Sequence, residues 1–236
     1  MLSTPSNLDE SELAKFEALA QRWWDRDGAF KALHDINPLR LDFIEDRAEL
    51  AGKKALDIGC GGGILAEGLA RRGAEVKAID LGEASLAVAR AHASEQGLEI
   101  EYQSIAAEAL AEQEPASFDV VTCLEMLEHV PDPSAIVEAS AQLVKPGGDV
   151  FFSTINRNLR ALLVMIVGGE YVMQMVPRGT HEYEKLIRPG ELDRWIRRAG
   201  MYAQEIRGMS YNLLNKTYRL SDDLGTNYLV HACRST

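Results

Sequence analysis

The segment Lys54-Ala-Leu-Asp-Ile-Gly-Cys-Gly-Gly-Gly-Ile64, followed by Ala74-Glu-Val-Lys-Ala-Ile-Asp80, leaves this chain the least freedom in how it folds. Ala55 to Ile58 is a short apolar run carrying one acid, and a glycine cluster follows at once. Ile64, Leu65, Leu69 and Ala70 recur at helical spacing, and a second apolar run, Val76 to Ile79, ends at Asp80. The pattern predicts strand, glycine turn, helix, strand: one right-handed βαβ unit. Glycines let the backbone turn sharply and approach a ligand more closely than a Cβ would allow. Asp80, about 20 residues on, falls where this architecture places an acid that accepts hydrogen bonds from ribose hydroxyls. A bound nucleoside is the first inference.

Which nucleoside depends on the register of the glycines. Counted from Gly59, the dinucleotide pattern G-x-G-x-x-G fails at Ile64. Counted from Gly61 through Gly63 to Ala66, it passes in its alanine form, which keeps an NAD-dependent oxidoreductase open as an alternative. No Gly-Lys-Ser/Thr follows the cluster, so a P-loop for a triphosphate is excluded. Asp57, two residues before Gly59, completes Asp-x-Gly-x-Gly. An acid on the floor of the turn is a poor neighbour for a pyrophosphate and a good one for a cationic ligand or bridging waters. This motif resembles the first motif of class I S-adenosylmethionine-dependent methyltransferases, whose cofactor carries a sulfonium and no phosphate. Asp57, Gly59, Gly61 and Asp80 are the cofactor-binding residues expected on that reading.

Composition is that of an ordinary globular α/β chain: 236 residues, 46% hydrophobic and 26% charged. The net charge of −11 argues against nucleic acid as a partner. Cys60, Cys123 and Cys233 form no C-x-x-C pair and are odd in number, which points to a reducing compartment and no zinc site. The acidic start, with Asp9, Glu10 and Glu12, does not read as a signal peptide, and no run approaches the roughly 18 apolar residues of a membrane span. A cytoplasmic protein is expected.

Strand and helix patterns keep alternating along the rest of the chain. Asp9 to Trp24 reads as one amphipathic helix with Phe16, Leu19, Trp23 and Trp24 on its apolar face. Glu83 to Gln96 is a helix stopped by Gly97, and Ile100 to Gln103 a strand. Phe118 to Cys123 reads as a buried strand, Pro133 to Leu143 as a helix, and Lys145 to Gly148 as a turn feeding the strand Asp149 to Thr154. Pro189 to Ala199 is a helix bounded by Gly200. Two closing strands, near Glu205 to Met209 and Tyr228 to Ala232, are joined by a polar link. The expectation is a doubly wound, seven-stranded Rossmann-like α/β sheet, mostly parallel, with an antiparallel C-terminal hairpin.

In such sheets ligands sit beyond the carboxyl ends of the strands. After the fourth strand the chain reads Cys123-Leu-Glu-Met-Leu-Glu-His129. Leu124 falls beside the expected cofactor, where it can cover an adenine. Glu125, Glu128 and His129 stand at i, i+3 and i+4, so on a helical turn they would share one face and suit a divalent ion such as Mg²⁺. The plain alternative is an exposed acidic turn with no metal.

Several segments together resemble one family: Asn37-Pro-Leu-Arg40, Asp57 to Gly63, Val121 to Pro133, Val144 to Thr154, Asn156-Arg-Asn158 and Arg178-Gly-Thr-His181. In this order they resemble the ubiquinone-biosynthesis O-methyltransferases, over nearly the whole chain. The resemblance implies one class I methyltransferase domain over residues 1–236, with an N-terminal helical cap (1–50) and an apolar insert (155–188) over the substrate site. It implies S-adenosyl-L-methionine as cofactor, contacted by Arg40, Gly59, Asp80 and Leu124. The implied substrates are prenylated phenols and quinols, methylated at both O-methylation steps. Metal ligands known in part of the family fall on Glu125, Glu128 and His129. Another class I methyltransferase, acting on a different small phenol or acid, remains the nearer alternative.

Physical readings stand beside this. A carboxylate wants a fixed fork of donors, which Arg40 supplies. A phenol with a pKa near 10 needs help to ionise at neutral pH. His129 is the base placed at a strand tip, unless it ligates metal, and His181 is a second candidate. Leu159 to Val176 is strongly apolar, broken by Gly168-Gly169-Glu170 and flanked by Arg157, Arg160 and Arg178. It suits peripheral docking on an anionic membrane, or else a core helix with a lid. Other ubiquinone-biosynthesis enzymes are further expected partners.

Overall fold

The computed structural model describes residues 7–161, 183–212 and 217–236. Most of the apolar insert (162–176), Arg178 and His181 lie outside the described residues.

Among the described residues the chain forms a single eight-stranded sheet in the order β3-β2-β1-β4-β5-β8-β6-β7. Its strands are β1 (Lys54–Ile58), β2 (Glu75–Asp80), β3 (Ile100–Ser104), β4 (Phe118–Leu124), β5 (Val144–Ile155), β6 (Met201–Asn212), β7 (Thr217–Ser221) and β8 (Asn227–Arg234). The first five pair in parallel. β8 inserts antiparallel between β5 and β6, and β7 pairs antiparallel with β6 at the edge. The additional strand, β7, lies in what the sequence presents as a polar link. Its burial alternates between exposed and half-buried, the mark of an edge strand, so no apolar run announces it. Lys145 to Gly148, expected as a turn, is absorbed into β5, where pairing with β4 jumps from Phe118↔Val144 to Val120↔Asp149.

Alternate strand residues feed two cores, as a period of two requires. Ala55, Val120, Phe151 and Leu229 pack with α2 (Lys31–Glu45), α3 (Ile64–Arg71) and α4 (Glu83–Glu95) on one face. Leu56, Val121, Phe152 and Val230 pack on the other with α5 (Ala107–Gln113), α6 (Pro133–Leu143) and the helix Pro189–Arg198. Both faces of the central strands are therefore covered, as in parallel sheets generally.

The N-terminal helix is shorter than its apolar pattern predicts. α1 (Glu10–Ala18) is capped by Asp9, whose carboxylate accepts the amides of Ser11 and Glu12. It ends at Leu19, and a short 3₁₀ turn, Ala20–Arg22, leads to Trp23 and Trp24. Trp23 stacks on Phe30 with ring centroids 3.7 Å apart, and its indole N–H donates to Ser85 at 3.0 Å. Trp23 still stacks beside Phe16, with ring centroids 6.4 Å apart, and its ring also lies against the glycine turn and α4.

Candidate active site

The glycine turn is tied to the second strand before any side chain acts. Gly59 and Cys60 both donate their amides to the Ile79 carbonyl, at 2.9 and 3.0 Å. Gly59 (φ +72°) and Gly61 (φ +51°) hold left-handed backbone that other residues enter only with strain. A Cβ on Gly59 would lie 2.5 Å from Met126 Cγ, and one on Gly61 2.5 Å from the Trp23 ring. Trp24 adds a hydrogen bond to the Gly62 carbonyl at 3.0 Å, so the N-terminal segment straps the turn from outside.

Asp80 sits at the tip of β2 as expected. Its Oδ2 accepts the Gly61 amide and its Oδ1 the Gly82 amide, each at 2.8 Å. The carboxylate is thereby fixed in orientation, and each oxygen keeps a further lone pair for a ligand. Asp57 is buried on β1, with Oδ1 accepting from Thr122 Oγ1 at 2.8 Å. Its Oδ2 is buried and has no hydrogen-bond partner. Burial, helped by the nearby Asp80 charge, pushes the Asp57 carboxyl up to about 7 against the opposing pull of Thr122 and Arg40. An acid in that state gains from a cation placed beside it.

Arg40 arrives from the other side, on α2, and is only 4% exposed. Its Nη2 lies 2.8 Å from Glu125 Oε1, a charge contact off the direction of an N–H donor. Nε and Nη2 are both buried without a hydrogen-bond acceptor. A buried guanidinium with unmet donors is costly unless something fills it. A ligand carboxylate fits that need.

The turn after β4 differs from the expected helical face. Leu124 ends the strand, buried against the cavity. Glu125 then adopts φ +53°, a left-handed conformation rare outside glycine. The helical turn begins only at Leu127 and is 3₁₀, so Glu125 lies outside it. The three side chains accordingly go to different partners. Glu125 accepts from Ser153 Oγ at 2.5 Å and Asn227 Nδ2 at 2.7 Å. Glu128 accepts from Thr154 Oγ1 at 2.8 Å. His129 Nδ1 meets Glu12 Oε2 at 2.8 Å. Among the described residues, one set of three His, Cys, Asp or Glu donor atoms lies within 4.8 Å of one another, and it is Asp149, His231 and Cys233. Glu125, Glu128 and His129, expected as metal ligands, lie outside that set, each engaged by a different partner.

The His129–Glu12 contact has no counterpart in the sequence reading. Glu12 comes from α1 and is 4% exposed. Burial works against charge on both partners. The His129 contact, with Lys15, still brings Glu12 down to about 2. Glu12, with the Glu128 and Glu125 carboxylates, raises His129 above its ordinary value despite burial. Ser153, Thr154 and Asn227, which hold the two glutamates, were also not foreseen. They stand on β5 and β8, and only the strand pairing brings them to this turn.

Arg40, Asp57, Asp80, Glu125, His129 and Glu12 line one cavity of about 760 Å³ at the carboxyl ends of β1, β2 and β4. That size suits a nucleoside and a second small molecule side by side. Apolar walls come from Leu13, Phe16, Ile36, Ile155 and Met209, and the tyrosines Tyr211 and Tyr218 also line the cavity.

A strand–glycine turn–helix unit, an acid at the second strand tip and this sheet order define an S-adenosylmethionine-dependent methyltransferase of the α/β class. The methyltransferase-domain family Methyltransf_23 matches residues 31–206. The fold is shared with the magnesium protoporphyrin IX methyltransferase of Synechocystis, solved with bound S-adenosylhomocysteine (TM-score 0.69, 19% identity, 96% of this chain and 100% of that one). It is shared also with a Thermotoga maritima S-adenosylmethionine-dependent methyltransferase (TM-score 0.68, 15% identity, 95% and 100%). More particularly, the chain belongs to the ubiquinone biosynthesis O-methyltransferases. It is 60% identical to that enzyme of Pseudomonas entomophila over 229 residues, covering 97% of this chain and 99% of the relative. The Pseudomonas fluorescens enzyme is 59% identical over the same span. Membership in this family sets aside the NAD-dependent alternative.

Proposed function

We propose that this enzyme methylates phenolic hydroxyls of prenylated ubiquinone precursors at both O-methylation steps, with His129 as the proton acceptor. The observation that carries the reading is near full-length identity to enzymes named for that pathway, coupled to a basic imidazole in the wall of the cofactor cavity. S-adenosylmethionine supplies an activated methyl when bound. Arg40 takes its carboxylate, Asp80 its ribose hydroxyls, and Asp57 faces its positive charge. Gly59 and Gly61 let the backbone come close, and Leu124 covers the adenine. The remaining task is to align a phenolic oxygen and remove its proton, which suits an imidazole made more basic by Glu12.

His129 serves as a base or as a ligand, not as both at once. EDTA decides between the two roles: methyl transfer that survives thorough chelation assigns His129 as the base. Activity lost to EDTA and restored by Mg²⁺ would return Glu125, Glu128 and His129 to the role of ligands.

The long isoprenoid tail of such a substrate stays in a bilayer, so we place the enzyme in the cytoplasm, docked peripherally on anionic membrane and near other ubiquinone-biosynthesis enzymes. Among the described residues no helix is long and apolar enough to cross a membrane. Of the flanking arginines, Arg157 is paired with Glu191, and Arg160 with Asp223 at 2.6 Å. That leaves docking to rest chiefly on the apolar insert. Co-sedimentation with anionic liposomes, lost in Leu163→Glu with Ile166→Glu, tests it; a wild-type chain that ignores such liposomes at low salt would refute it. The substrate assignment is tested by mass spectrometry of quinone intermediates in a strain lacking the protein. O-demethylated intermediates should accumulate, and a normal quinone profile would overturn the assignment.

A further inference from the structure

The Asp149, His231 and Cys233 cluster lies outside the cavity and has no part in methyl transfer. β5 and β8 run antiparallel, with Ile155 opposite Asn227 at the active-site end and Asp149 opposite Cys233 at the other. Six residues of strand separate the two ends, or about 20 Å. His231 and Cys233, two apart on one strand, point to the same face, and Asp149 stands across from Cys233 on that face. Asp149 Oδ1 is 2.7 Å from His231 Nε2 and 3.2 Å from Cys233 Sγ, and the sulfur is 3.6 Å from Nε2.

We propose that Asp149, His231 and Cys233 form a three-ligand site for a borderline-soft divalent transition metal of the zinc class, with water in the fourth position.

The ligand types select the ion. A thiolate and an imidazole with one carboxylate favour Zn²⁺ or Co²⁺ over Mg²⁺ or Ca²⁺, which take oxygen donors. The spacing fits as well. With bonds of about 2.0–2.3 Å at tetrahedral angles, the N···O edge should be about 3.3 Å and the S···N edge about 3.6 Å. The S···N edge is already at that length, the N···O edge needs to open by about 0.6 Å, and the S···O edge by less.

The surroundings are preset. The His231 ring is held by stacking on Phe151, with centroids 4.8 Å apart. Glu205, its neighbour across β6, is engaged by Arg47 at 2.7 Å and does not compete. His231 is buried, whereas Asp149 and Cys233 are half-buried, which gives an ion a way in.

Without metal, the thiol donates to Asp149, and burial together with that carboxylate holds Cys233 up at about 11. On binding, the Sγ–H proton leaves to solvent as the S–metal bond forms. The imidazole presents its Nε2 lone pair and carries its proton on Nδ1. One proton is released per ion, and nothing is oxidised or reduced. The bound ion would cross-link β5 and β8.

Cobalt titration of the full-length protein, stripped with EDTA, tests the site. A thiolate-to-cobalt charge-transfer band should grow in and saturate at one ion per chain. It should disappear in Cys233→Ser, and Asp149→Asn should weaken binding at least tenfold. Zn²⁺ should displace the cobalt, and excess Mg²⁺ should not. Zn²⁺ should also raise the Tm of the wild type but not of Cys233→Ser, with the fold of each variant checked by near-UV circular dichroism. No charge-transfer band, a band that persists in Cys233→Ser, or equal Tm shifts in both proteins would overturn the proposal.

Discussion

Arg40 Nη2 lies 2.8 Å from Glu125 Oε1, joining helix α2 to the left-handed residue that follows β4. The pair is enclosed, with side-chain exposures of 5% and 15%, and Glu125 is also held by Ser153 and Asn227. The proposed cofactor carboxylate would draw on the same guanidinium. Arg40→Ala should therefore weaken S-adenosylmethionine binding by about 1.5–3 kcal/mol, the scale of a charged hydrogen bond. It should also destabilise the fold by about 1–3 kcal/mol, because Glu125 keeps its Ser153 and Asn227 hydrogen bonds but loses its cationic neighbour. Adding Glu125→Gln should recover part of the stability and none of the affinity, as read by calorimetry and urea unfolding. Affinity unchanged in Arg40→Ala would remove Arg40 from the cofactor site.

Asp80 carries two duties in this structure. Its carboxylate orients the Gly61 and Gly82 amides and is proposed to take the ribose hydroxyls. Asp80→Ala should cost about 1.5–3 kcal/mol of cofactor affinity while the sheet stays intact. Asp80→Asn should help little, since its amide NH₂ would face a backbone N–H, donor against donor. Isothermal titration of both variants checks this, and wild-type affinity in a folded Asp80→Ala would contradict it.

Asp57 predicts a pH signature. Its carboxyl sits at about 7, so it is largely neutral at pH 6 and largely ionised at pH 8. The ionised form attracts a sulfonium, and S-adenosylhomocysteine lacks one. The ratio of S-adenosylmethionine to S-adenosylhomocysteine affinity should thus rise between pH 6 and pH 8 and flatten in Asp57→Asn. A ratio independent of pH in the wild type would show that Asp57 does not sense the methyl donor's charge.

The Glu12–His129 contact predicts a second one. His129 is raised above 6.5, so its contribution to stability is complete below 6.5 and fades as pH rises through the raised value. Glu12 is lowered from 4.5 to about 2, so its contribution is complete above 4.5 and fades as pH falls toward 2. The pair stabilises most between about 4.5 and 6.5. Glu12→Gln should cost about 1.5–3 kcal/mol near pH 6 and less at pH 9, as His129 loses its charge and the Lys15 and Lys185 charge contacts persist. Its pH–rate profile should rise at lower pH than that of the wild type. Equal losses at pH 6 and pH 9 in urea unfolding would contradict the ion pair.

What could be read from the sequence was local. The glycine turn, Asp57 and Asp80 were legible because a strand period of two and a helix period of 3.6 meet there within one short segment. β7 was not, since Thr217 to Ser221 gains its partner only when Tyr218 lies beside Tyr211 across the hairpin. The apolar spacing of Trp23 predicts a helix face; the helix ends at Ala18, and Trp23 reaches both Phe16 and the glycine turn from beyond a 3₁₀ turn. The divergence of Glu125 from Glu128 and His129 turns on one backbone angle that residue spacing does not carry. The cysteine spacing gives no sign of zinc, because Cys233 has a histidine two residues away on its own strand and Asp149 across the strand pairing rather than another cysteine.

The central claim is S-adenosylmethionine-dependent O-methylation, and it is tested most directly by incubating the purified protein with methyl-labelled S-adenosylmethionine and a short-tailed prenyl dihydroxyphenol. Mass spectrometry should find the label on a phenolic oxygen, with His129→Ala retaining cofactor binding and losing most of the turnover. No label on oxygen, in a protein that binds S-adenosylmethionine, would contradict the account.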